Sequence, residues 1–144
     1  MADPKPLRLL AQDAEDLGVL SAALQDAVAK IGDIRWDAQA RTLTIACNRF
    51  RWEAEGKKGE RVRSALQFGD VAGVQARNLR RDAKGAIVSL MSIGFEPAEE
   101  APAGLVVLTF SGGGDMRVSV DCLDVALADV SDPWTTPRTP GHAD

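Results

Sequence analysis

Apolar and polar residues alternate along most of this chain with the two-residue period of half-buried β-strands, and one segment follows the helical period instead. Leu7, Leu9 and Leu10, just after Pro6, predict a short opening strand. Asp13 then offers an N-cap oxygen, and Glu15 and Asp16 place negative charge on the first turn, where the helix dipole favours it. Leu17, Leu20, Leu24 and Val28 fall on one helical face, so a helix is expected from Ala14 to about Ala27. Val28 to Trp36 also reads as an extended strand, which leaves the helix end open.

From Ile34 onward the reading is β. Ile34 and Trp36 share a face, Asp37 to Arg41 form a polar turn, and Leu43, Ile45 and Cys47 alternate with Thr42, Thr44 and Ala46, the pattern of a hairpin. Past Cys47 the inward phase falls on Arg49 and Arg51, whereas Phe50 and Trp52 fall on the outward one. Burying unpaired guanidinium groups costs several kcal/mol, so a bulge near Asn48 is the expected solution. Glu53 to Glu60 reads as a charged loop whose glycines and lysines lack the GxxxxGK[ST] spacing of a phosphate cradle. Val62, Ser64, Leu66 and Phe68 then alternate up to a Gly69-Asp70 turn and a following run with Val71, Val74 and Leu79. Ile87 to Phe95 predicts another strand, Glu96 to Gly104 an acidic loop, and Leu105 to Phe110, apolar on both faces, a central strand. Gly112 to Gly114 make a turn into the alternating Met116, Val118, Val120 and Cys122, followed by Leu123, Val125, Leu127 and Val130.

Arg63 to Val74 can be laid on Arg117 to Ala128, matching Leu66 with Val120, Asp70 with Asp124, Val71 with Val125 and Ala72 with Ala126. The chain therefore reads as two related three-strand meanders that close on one another, against the alternative that any two period-2 segments align by chance. The predicted fold class is α+β: a mainly antiparallel sheet, curled or closed into a barrel or folded as two layers, with one N-terminal helix covering an opening or face.

A chain of 144 residues suffices for about one domain, assigned to residues 1–132, with a flexible Pro-rich tail over 133–144. Hydrophobic residues at 45% and charged ones at 26% describe an ordinary water-soluble globule, and no apolar stretch is long enough to span a membrane. The opening Met1-Ala-Asp-Pro-Lys-Pro lacks a secretory signature, so the cytoplasm is expected. Cys47 and Cys122 sit in apolar runs and are read as buried thiols.

The single histidine, His142, lies in the tail, which removes the usual triads and His-based metal sites. Tyr is absent, so a general acid or base would have to be a carboxylate, Lys or Cys. No catalytic residue, metal site or cofactor is assigned, and this thin inventory argues against an enzyme. Residues 35–84 carry 12 Lys and Arg against 6 Asp and Glu, leaving −10 for the remainder of a chain whose total is −4. This basic middle, with Trp36, Phe50 and Trp52 among its arginines, could suit nucleic acid or a phosphorylated ligand. A solvated strand face is the preferred reading, and the acidic total argues against nucleic acid. Asp121, Asp124, Asp129 and Asp132 are likewise read as solvated carboxylates, and Ser111 to Asp115 as a flexible hairpin turn.

Leu9 to Asp26 (LLAQDAEDLGVLSAALQD), Asn48-Arg-Phe-Arg-Trp-Glu53, Phe95-Glu-Pro97 and Phe110-Ser-Gly-Gly-Gly114 together resemble an uncharacterised proteobacterial family of unknown function over nearly the whole chain. The resemblance implies a bacterial, cytoplasmic, single-domain protein, and it transfers no mechanism and no functional position.

The leading functional expectation is a non-catalytic binding or scaffolding module with an unknown protein partner, or pairing with itself as a homodimer through exposed sheet edges. The alternative is a small-molecule or anion binder built on Arg49, Arg51, Trp52, Arg63 and Arg77. A nucleic-acid binder, and an enzyme using carboxylates or a perturbed Cys, complete the classes considered.

Overall fold

A computed structural model describes residues 6–53 and 59–135. In chain order they form β1 (Arg8–Ala11), α1 (Ala14–Ala23), β2 (Val28–Lys30), a 3₁₀ turn (Ile31–Asp33), β3 (Ile34–Asp37), β4 (Thr42–Phe50), β5 (Glu60–Phe68), β6 (Val71–Arg77) and β7 (Ile87–Pro97). There follow β8 (Gly104–Phe110), a second 3₁₀ turn (Ser111–Gly113), β9 (Asp115–Val120), β10 (Val125–Asp129) and β11 (Trp134–Thr135). The fold is α+β, mostly antiparallel sheet with one helix. Strand order runs β1-β10-β5-β4-β2-β7-β8-β9-β6, with β3 on the β4 edge and β11 on the β5 edge. The sheet ends at β1 and β6 and does not close into a barrel. Trp134 and Thr135, at the start of the expected tail, pair with Arg61 and Glu60, and the rest of that tail, with His142, lies outside the described residues.

The helix starts as its sequence dictates: Asp13 Oδ1 accepts from the Asp16 N–H at 2.8 Å. It ends at Ala23, short of Ala27, because Asp26 turns to a positive φ of 63° and the chain leaves to join β7. The Asp26 N–H donates to the Leu90 carbonyl and the Leu90 N–H to the Ala27 carbonyl, both at 2.8 Å. These two bonds launch β2, which pairs with β7 and touches β4 at Asn48. Leu17, Leu20 and Leu24 are still buried together against the sheet. Fully burying a Leu side chain stabilises by about 1.5–3 kcal/mol, and that gain seats the helix.

The two expected three-strand meanders do not form as such: β4-β5 and β8-β9 pair, but each segment gives its third strand to the other. β10 pairs with β5, and β6 pairs with β9. Gly69-Asp70 is therefore not the turn of a tight hairpin, since β5 and β6 are not neighbours in the sheet. It is a corner that crosses the other segment's corner: the Gly69 N–H donates to the Asp124 carbonyl and the Asp121 N–H to the Asp70 carbonyl, both at 2.9 Å. Asp70 adopts a φ of 51° there, and a Cβ on Gly69 would stand 3.0 Å from Asp124 Oδ2. The inward residues of both segments, Leu43, Leu66, Phe68, Val106, Leu108 and Val118 among them, form one core.

The bulge expected near Asn48 is absent. β4 keeps a continuous register with β5 from Leu43↔Phe68 to Phe50↔Arg61, so Arg49 points inward in the same phase as Leu43, Ile45 and Cys47. Register shifts fall instead between Val71 and Gly73 and between Leu90 and Ser92. The reason is electrostatic: the cost that would force a bulge belongs to an unpaired guanidinium, and Arg49 is paired.

Candidate functional site

Arg49 has no exposed surface, which corrects, for Arg49 itself, the expectation that the arginines of the basic middle form a solvated face; Arg35, Arg41, Arg77, Arg80 and Arg81 are exposed. Its Nε and Nη2 donate to Asp129 Oδ1 and Oδ2, each at 2.8 Å, while Nη1 and Nη2 reach Glu53 Oε1 and Oε2 at 2.9 and 2.7 Å. Asp129, expected to be solvated, has a side chain only 2% exposed and also accepts from Ser64 Oγ and the Leu7 N–H, both at 2.8 Å. Burial pushes the Asp129 carboxyl up, but the hydrogen bonds from Arg49, Leu7 and Ser64 outweigh it and hold the group below the usual carboxylate range. The hydrogen bonds from Arg49 likewise hold Glu53 low, against the opposing effect of burial. The cluster ties β4, β5, β10 and the segment before β1 at one end of the core.

The other residues expected to bind a ligand are also engaged internally. Arg51 is nearly buried, donates through Nη1 to Glu60 Oε1, and shares Glu53 with Arg49. It borders a recess of only 40 Å³ with Val62 and Asp129, room for water and not for an organic ligand. Trp52 stacks at a 58° tilt on Phe50, ring centres 4.6 Å apart, and its Nε1 donates to the Gln25 carbonyl at 3.2 Å. Arg63 bridges Asn48 Oδ1 at 3.2 Å and Asp33 Oδ2 at 2.9 Å. Arg77, on β6, is held by both oxygens of Asp115 at 3.3 and 3.0 Å. The structure gathers Arg49 and Arg51 around Glu53 and leaves Arg63 and Arg77 in separate ion pairs.

A larger concavity lies elsewhere, between β3 and β6. The Val71 N–H donates to the Arg41 carbonyl at 3.1 Å, and Arg41 Nε donates back to the Val71 carbonyl at 3.2 Å, so the start of β6 is held against the turn that follows β3. Between the two strands is a cleft of 430 Å³. Leu43 and Met116 contribute buried surface to the cleft lining, Ile34 and Trp36 line it from β3, Val74 and Ala76 from β6, and Leu79 from the connection to β7. Trp36 faces inward with Leu43, its cross-strand partner, yet stays 38% exposed because the cleft is open above it. Ile31, Gly32, Arg35, Arg81 and Lys84 complete the lining.

The family described as "Protein of unknown function (DUF2948)" matches residues 7–142. The chain belongs to this family. No curated protein and no solved structure matches it.

The remaining reactive groups of this DUF2948 protein are few. Burial pushes the Cys47 thiol up to about 11, against the opposing charges of Arg63 and Arg49, so it is not a ready nucleophile. Cys122 is half-buried, and its Sγ donates to Asp70 Oδ2 at 3.2 Å, which raises its pKa. Among the described residues no group of three or more His, Cys, Asp or Glu is placed to hold a metal, and no helix is long and apolar enough to cross a membrane. Trp36 and Arg81 belong to the basic middle of the sequence, where no local pattern marks the cleft itself. Its walls come from strands brought together only by the exchange of third strands.

Proposed function

We propose that this DUF2948 protein is a non-catalytic binding module whose ligand occupies the cleft between β3 and β6. The carrying observation is the cleft: 430 Å³ of concave, mainly apolar lining left open between two strands, each paired on one side only among the described residues. Ligand sites are commonly concavities of roughly 300–1,000 Å³ with an apolar floor and a few polar groups at the margin. This moves the small-ligand reading away from Asn48 to Trp52, where Arg49 and Arg51 are engaged by internal carboxylates.

The test is a ligand screen read by the methyl resonances of Val74, Ala76, Leu79 and Met116. Ligands are expected to shift these signals, and Ala76→Trp, which fills the cleft, is expected to abolish binding. Ligands that bind Ala76→Trp as well as wild type would reject the site.

Two further parts of the reading concern context. The exposed strand β1 ends the sheet with Leu10 71% exposed, which supports pairing with a second copy through that edge. A sedimentation run at micromolar concentration showing only a 15.3 kDa species would remove the dimer. The exchange of third strands between the two segments supports their descent from one duplicated unit, and the family resemblance supports a bacterial cytoplasmic setting.

A further inference from the structure

The margin of the cleft narrows what it takes. Three of its lining residues are cations: Arg35 from β3, and Arg81 and Lys84 from the connection between β6 and β7. All three are exposed, and none makes a side-chain hydrogen bond or ion pair among the described residues. Arg41, Arg49, Arg51, Arg63 and Arg77, by contrast, each have a carboxylate partner. Among the described residues no carboxylate lines the cleft, although Asp37, two residues from Arg35 on β3, is exposed nearby in sequence. Asp33 is held by Arg63, and Asp82 is exposed between Arg81 and Lys84 without being part of the lining.

These cations are not on a loose loop. The segment 78–86 is fastened at one end where the Gly32 N–H donates to the Lys84 carbonyl and the Ile31 N–H to the Ala86 carbonyl, both at 2.9 Å. At the other end it lies against Gly114, where a Cβ would come within 2.6 Å of Leu79 Cδ2 and 2.9 Å of the Asn78 oxygen. A Cβ on Gly32 would similarly stand 3.1 Å from Lys84 Cβ. Two glycines thus let the segment approach closely enough to put Leu79 in the cleft and Arg81 and Lys84 at its border.

We propose that the ligand is an amphipathic organic anion, its apolar ring system lying on Trp36, Val74 and Leu79 above the buried Leu43 and Met116, and its acidic group facing Arg35, Arg81 and Lys84. This rests on the cleft being the binding site. A bare inorganic anion would gain only exposed, salt-screened attraction and leave the apolar floor wet. A neutral apolar molecule would cover the floor and leave the cations without a partner. A molecule with both parts satisfies both surfaces.

A matched pair of probes, 2-naphthoate and its neutral isostere 2-naphthamide, separates the two contributions, with inorganic phosphate as a third arm. Binding is read by titration of the Ala76 and Met116 methyl resonances of the full chain, which the naphthalene ring current moves. Naphthoate is expected to bind about tenfold more tightly than the amide, the sum of three modest exposed charge contacts, and its advantage should shrink with added salt. Phosphate alone should leave the methyl signals in place. Arg35→Gln/Arg81→Gln/Lys84→Gln changes only exposed side chains, so an unchanged melting temperature is expected alongside loss of the preference for naphthoate.

Equal binding of acid and amide, or a preference that survives the triple variant, would overturn the anionic class and leave the cleft reading standing. Competition by phosphate at the same concentration would overturn the amphipathic one. If neither naphthalene compound moved the Ala76 and Met116 signals, while other ligands did so in wild type and not in Ala76→Trp, the class would fail alone. If no ligand moved them, the cleft reading would fail with it.

Discussion

Arg49 on β4 grips both carboxylate oxygens of Asp129 on β10 at 2.8 Å, reaching over β5, which lies between the two strands. Ser64, on the intervening strand, donates to the same carboxylate. Three adjacent strands are thereby fixed to one another at the polar end of an otherwise apolar interior.

Removing one partner of this pair should cost far more than removing both. Asp129→Asn leaves a fully buried guanidinium with less than its full complement of charge, and a loss of about 3 kcal/mol or more is expected in urea denaturation. Arg49→Met combined with Asp129→Leu should recover much of that loss, because neither charge then has to be desolvated. A double variant no more stable than Asp129→Asn would show that the pair itself, and not the avoidance of an orphaned charge, stabilises the fold.

Acid should weaken the protein through the same cluster. Asp129 and Glu53 both have folded-state pKa values below the ordinary carboxylate values of about 3.9 and 4.3. Their contribution is therefore complete above those ordinary values and is lost as pH falls through the lower folded-state ones. Urea midpoints of wild type should drop more steeply than those of Asp129→Asn between about pH 5 and about pH 2.5. Parallel curves for the two proteins would refute this assignment.

Gly114 should resist substitution although it is not a turn residue with positive φ. A methyl group there meets Leu79 and the backbone oxygen of Asn78, so Gly114→Ala must displace the segment carrying Arg81 and Lys84. A cost of about 1–3 kcal/mol is expected from such overpacking, with a lower melting temperature and altered Leu79 methyl shifts. Gly94→Ala is the control, since a Cβ there has no atom within 4 Å. Equal melting temperatures for the two variants would contradict the close approach.

The two thiols should differ in reactivity. Cys47 is buried, with its pKa near 11, and is expected to resist iodoacetamide at about pH 8 until the protein unfolds. Cys122, half-buried in the corner after β9, should label in the native state, and faster in Asp70→Asn, which removes the carboxylate that raises its pKa. Native labelling of Cys47 at the rate of Cys122 would be inconsistent with the packing described.

Much of this architecture is legible locally. The two-residue alternation identifies the inward residues of β4, β5, β8 and β9, and the cap at Asp13 marks the helix start; the match between Arg63–Val74 and Arg117–Ala128 does not reveal that their third strands change places. Alternation even turns Arg49 inward. The expected bulge follows from treating Arg49 as unpaired; one of its carboxylates, Glu53, is only four residues along the chain. The buried one, Asp129, is 80 residues away. The cleft was hidden for the same reason: β3 and β6 come together only because β6 leaves its own segment to pair with β9. Which way a side chain points along a strand is a property of its neighbours in sequence, and the sequence alone determined it here. Which carboxylate meets which guanidinium, and which strand edges stay open around a cavity, depend on pairings between distant segments, and only the tertiary structure decided them.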